Sequence, residues 1–133
     1  VQEIPARDLR AARSQLWRDQ ELVLLRFKEK GTTAKLLEST AKHHVIDMRK
    51  DKWQVRLYIN RKTLLLDKMV YQEGGEQATE EYSNYKLVNG IRVAHRRKSL
   101  QRMMGQNATF DITIKKVTID GKVDLKRFVK PPK

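Results

Sequence analysis

Between Lys52 and Asn60 polar and apolar residues alternate without a break, which sets Trp53, Val55, Leu57 and Ile59 on one face of a strand and Gln54, Arg56, Tyr58 and Asn60 on the other. Upstream, His44 to Arg49 reads as its hairpin partner across a polar turn at Lys50-Asp51. Downstream, Leu64 to Gln72 follows a short loop at Arg61-Lys62-Thr63, and Gly74-Gly75 closes that strand. Tyr82 to Leu87, Ile91 to Leu100 and Thr109 to Ile119 supply three more strands, with tight turns predicted at Asn89-Gly90 and Asp120-Gly121.

The opening of the chain keeps a different period. From Ala6 to about Arg18 the apolar residues Leu9, Ala12, Leu16 and Trp17 fall at helical spacing, and Pro5 sits near the first turn, where proline costs least. Glu21 to Phe27 is apolar on all sides and fits a second helical piece or a buried strand; periodicity does not choose between them. Gly31, Thr32 and Thr33 end it. A helix followed by six or seven sequential strands on short turns predicts an α+β fold: a curved antiparallel β-sheet, an open half-barrel in meander order, covered by the N-terminal helix. The space between sheet and helix is then a candidate ligand cavity.

The 133 residues fit a single domain over 1–133, and no apolar run reaches the roughly 18 residues of a membrane span. The start at Val1 suits a domain excised from a longer protein, with any export signal outside it. With no cysteine there is no disulfide, thiolate metal site or cysteine nucleophile. The net charge of +13 favours anionic partners, and it is concentrated late: residues 91 to 133 carry 12 basic and 3 acidic groups.

Catalytic chemistry finds little to stand on. His43 and His44 are strand neighbours on opposite faces, and with His95 they form no recognised metal spacing. The serines lie in no nucleophile elbow, and Gly74-Gly75 is not followed by the Lys-Ser/Thr of a phosphate loop. No enzyme activity and no cofactor are expected. Arg92, Arg96 and Lys98 share one face of a predicted strand and form a candidate anion-binding surface, with Ile91, Val93, His95 and Arg97 on the other. Such a patch would serve nucleic acid through counterion release, although exposed aromatics for base stacking are lacking.

Three stretches resemble the LolA/LolB-like superfamily of periplasmic lipoprotein carriers and outer-membrane lipoprotein-sorting proteins: "VRLYINRKTLLLDKMVYQE" (55–73), "EEYSNYKLVNGIRVAHRRKS" (80–99) and "FDITIKKVTIDGKVDLKRFVKP" (110–131). The family commonly has a proline where this chain has Ala94-His95. The resemblance implies a non-enzymatic domain of the bacterial cell envelope, periplasmic and sometimes appended to larger proteins, that shields lipid or lipoprotein acyl chains in an apolar cavity. The residues expected to line that cavity are Leu16, Trp17, Val55, Leu57, Ile59, Ile91, Val93, Phe110, Ile112 and Ile114. Arg92, Arg96 and Lys98 would face an anionic membrane surface or an acidic protein. The alternatives are a nucleic-acid or polyanion-binding module and a structural accessory domain.

Overall fold

The computed structural model describes residues 5–73, 75–103 and 105–119, apart from the side chains of Arg7 and Met103. The predicted turn at Asp120-Gly121 and the last part of the third resembling stretch lie outside them. A helix, α1 (Ala6–Trp17), and a 3-10 helix (Val23–Lys28) precede seven strands: β1 (Thr32–Ser39), β2 (His43–Lys50), β3 (Trp53–Asn60), β4 (Leu66–Glu73), β5 (Glu76–Val88), β6 (Ile91–Met103) and β7 (Gln106–Thr113). They form one antiparallel sheet in sequence order, β1 to β7, that does not close on itself. The fold is therefore mostly β, an open meander with one short N-terminal helix.

Alternation dictates which side is buried. Reading across the sheet by register, Leu36, Ile46, Leu57, Met69, Glu80, Ser99 and Phe110 form one row, and Ala34, Met48, Val55, Tyr71, Ala78, Gln101 and Ala108 the next. Cross-strand neighbours point to the same side, so both rows belong to one face. The centre of that face, with Trp17 and Val23, makes the hydrophobic core: Met48, Val55, Leu57, Ile59, Leu66, Met69 and Tyr71 are all buried. At Asn89-Gly90 the two-residue loop has φ of 47° and 82°, the pair of positive values that a type I′ hairpin turn requires.

The helix forms where predicted but does not cover the sheet. Ser14, Trp17 and Arg18, at i, i+3 and i+4, are its anchored side. Trp17 stacks at 5.9 Å from Trp53, and the Arg18 guanidinium lies 4.0 Å above the Tyr71 ring. Every described side chain from Ala6 to Arg13 is exposed, and the stripe of Leu9, Ala12 and Leu16 lies on another side of the helix; Leu16 is 65% exposed. The 3-10 helix packs through Val23, while Leu24, Leu25 and Phe27 face outward.

Candidate functional site

The residues expected to line a cavity separate into three groups. Trp17, Val55, Leu57, Ile59 and Val93 are buried, the first four in the core cluster. Ile114 is half-buried just beyond β7. Leu16, Ile91, Phe110 and Ile112 are exposed, Ile91 because it adjoins the β5–β6 turn and Leu16 because its side of α1 faces away from the sheet. Beneath the end of α1 lie cavities of about 120 Å³ beside Trp17 and Trp53 and about 60 Å³ beside Arg18 and Arg97, each below the roughly 300 Å³ of an ordinary small-molecule pocket.

Phe110 and Ile112 are on the same face as the core. Register carries Glu80 to Ser99 to Phe110, and Tyr82 to Arg97 to Ile112. The apolar face therefore continues past the covered centre onto β7, where each of these side chains is 47% exposed. At the other edge Leu36 of β1, in register with Ile46, is exposed in the same way.

Between the core and this open strip lies a buried ionic cluster. The Glu80 carboxylate accepts hydrogen bonds from Tyr71 Oη, Tyr82 Oη and Arg97 Nη2, each at 2.6 Å, and its side chain is only 4% exposed. Burial alone would raise the Glu80 carboxyl, but the hydrogen bonds from the two tyrosines and the Arg97 charge outweigh it and hold the group below the usual carboxylate range. Burial, with Glu80 adding to it, pushes the Tyr71 hydroxyl up to about 12. This cluster was missed because β5 begins at Glu76, six residues before the predicted start. The signal was present: counting back by twos from Tyr82 puts Glu80 and Ala78 on the inward face, the face also assigned to Arg97's side of β6.

The opposite face is polar and carries a broad groove of about 610 Å³ lined by Lys42, His43, Asn60, Asp67, Lys68, Glu81, Ser83, Arg96 and Lys98 among others. Its charges compensate one another in part, with Asp67 and Glu81 set among Lys42, Lys68, Arg96 and Lys98. Register sets Lys68, Glu81, Lys98 and Asp111 side by side across four strands, alternating in sign. Arg96 holds Asp111 through Nε and Nη2 at 3.0 and 2.6 Å. Asp67 accepts from His43 Nε2 at 2.9 Å and Asn60 Nδ2 at 3.0 Å, contacts that outweigh its burial and keep it ionised below the usual range. Arg96 and Lys98 thus share one groove, while Arg92 sits apart, paired across the hairpin with exposed Leu87. Asp47, Asp67 and Asp111 all lie on this outward face.

His43 and His44 bond different partners, Asp67 and Ser39, and His95 is buried with Nδ1 3.0 Å from the Val93 carbonyl oxygen. Among the described residues no three His, Asp or Glu side chains converge as a metal site, and no helix is long and apolar enough to cross a membrane. Compared with models of known families, characterised proteins and solved structures, the chain matches none.

Proposed function

We propose that this domain binds the acyl chain of a lipid or lipoprotein, without catalysis, on the sheet face that carries α1, and that it works in the bacterial cell envelope. The observation that carries the reading is the open apolar strip of β7: Phe110 and Ile112 extend a buried core face into solvent, on a strand whose outward-facing residues include Asp111. An apolar chain laid there gains about 0.8 kcal/mol for each CH₂ removed from water, less the cost of ordering it. In this reading the sheet bends as an open half-barrel, and α1, held only by its last turn, moves to admit or enclose the chain. The resemblance of residues 55–73, 80–99 and 110–131 to lipoprotein carriers supports the same conclusion.

The test is titration of a fluorescent acyl-chain probe at physiological salt, with unlabelled phospholipid as competitor. Saturable, displaceable binding is expected, weakened roughly tenfold in Phe110→Gln and in Ile112→Gln by loss of apolar contact. Because both side chains are half-exposed, folding survives the change. Leu57→Arg would not serve, since Leu57 is fully buried and its loss reports on folding. A probe that fails to bind, or binds equally to these variants, refutes the reading.

A further inference from the structure

We infer that the outward side of α1 and the 3-10 helix is a docking surface for an anionic lipid bilayer. The inference rests on the lipid reading for its choice of partner, but on separate residues. On α1, Leu9, Ala12 and Leu16 form an apolar stripe at i, i+3 and i+7 turned away from the anchored side of Ser14, Trp17 and Arg18. In a 3-10 helix residues three apart eclipse, so Val23 and Arg26 share the side packed on the protein, while Leu24 stands over Phe27 and Leu25 over Lys28. Arg26 donates to the Leu16 carbonyl oxygen at 3.2 Å, which ties the two segments together. Leu16, Leu22, Leu24, Leu25 and Phe27 are each at least 40% exposed, and no described residue covers them.

The flanking charge identifies the occupant. Arg13 borders the stripe on α1 on the side away from Asp8, and Lys28 and Lys30 outnumber Glu21 beside the 3-10 helix, with the Lys28 Nζ 5.7 Å from the Phe27 ring centroid. Among the described residues none of these three cations has a carboxylate within ion-pair distance, whereas Arg18 and Arg26 are held by Glu73 and Glu29. Apolar side chains entering the acyl boundary with basic side chains at the headgroups are the arrangement of an interfacial helix. A second copy would add an equal excess of like charge to the interface, whereas anionic headgroups complement Arg13, Lys28 and Lys30.

Co-sedimentation with phosphatidylcholine vesicles, with and without phosphatidylglycerol, tests this. Binding is expected mainly to the anionic vesicles, reduced roughly tenfold in Leu25→Gln and in Phe27→Gln, and also in Lys28→Glu with Arg13→Glu. Leu64→Gln, an equally exposed leucine in the β3–β4 loop at the far end of β3 from Trp53, should bind as the unaltered chain does. Vesicle binding that is absent, or indifferent to the α1 and 3-10 substitutions, overturns the inference. So does reversible self-association that Leu25→Gln abolishes, which would make a second copy the occupant. Acyl-probe binding measured in the same variants without vesicles should be unchanged, so failure of docking and failure of acyl binding are read separately.

Discussion

Glu80 is a buried carboxylate held by three donors. A carboxylate buried in the sheet is tolerable only because three donors converge on it, so removing a partner costs more than the net worth of the pair. Glu80→Gln should lower unfolding stability by about 3 kcal/mol at neutral pH. The pH dependence has a definite sign. Because the folded carboxyl lies below its unfolded value, its contribution is fully present above about pH 4.3 and disappears as pH falls through the folded value. Chemical denaturation from pH 6 to pH 2.5 should therefore show the gap between the unaltered chain and Glu80→Gln narrowing on the acid side. A gap constant across that range would mean that shape, not charge, is what Glu80 supplies. Tyr71→Phe, which removes one donor and leaves two, should cost about 1 to 2 kcal/mol.

At the level of elements, α1 is a helix without a floor. Twelve residues are marginal for an isolated helix in water, and only its last turn is packed. Ala11→Pro, which costs about 3 kcal/mol in a packed helix interior, should leave the melting temperature nearly unchanged, whereas Trp17→Ala should cost about 3 to 5 kcal/mol by emptying a core position. A large drop for Ala11→Pro would show that the first two turns pack in solution. The helix itself was legible from Leu9, Ala12, Leu16 and Trp17, but its orientation was not, because the one large anchor, Trp17, lies off the stripe that the other three define. The strands β2, β3, β4 and β6 and the second half of β5 were legible for the opposite reason: with one face buried, period-two alternation is imposed on them, most cleanly in β3. β1 left no such mark. It is an edge strand exposed on both faces, with a register irregularity between Leu36 and Ser39 that discourages further strands from adding to it. β7 was placed about three residues too late at its start and ended at Thr113 rather than at Ile119.

For the whole molecule, the question is whether charge or apolar surface governs binding. The formal +13 suggested charge, yet on the outward face Asp47, Asp67 and Asp111 are each engaged by basic or amide side chains, and Glu81 lies between Lys68 and Lys98. Lys122, Lys126, Arg127, Lys130 and Lys133 lie outside the described residues together with Glu3, Asp120 and Asp124, so most of the excess is on the described residues. Two faces with different chemistry predict two different salt responses. Acyl-chain binding to the β7 strip involves no ion pair and should change little between low and high salt. A polyanion held on the basic face would release counterions and lose affinity with a slope of about 0.7 to 0.9 in log salt for each phosphate neutralised. Measuring probe affinity and single-stranded oligonucleotide affinity across the same salt series separates them. Flat probe binding beside weaker, steeply salt-sensitive oligonucleotide binding is expected, since Asp47, Asp67, Glu81 and Asp111 offset part of the positive charge on that face. Tight oligonucleotide binding at physiological salt, with no measurable probe binding, would move the function to the polar face and leave Phe110 and Ile112 as uncovered core.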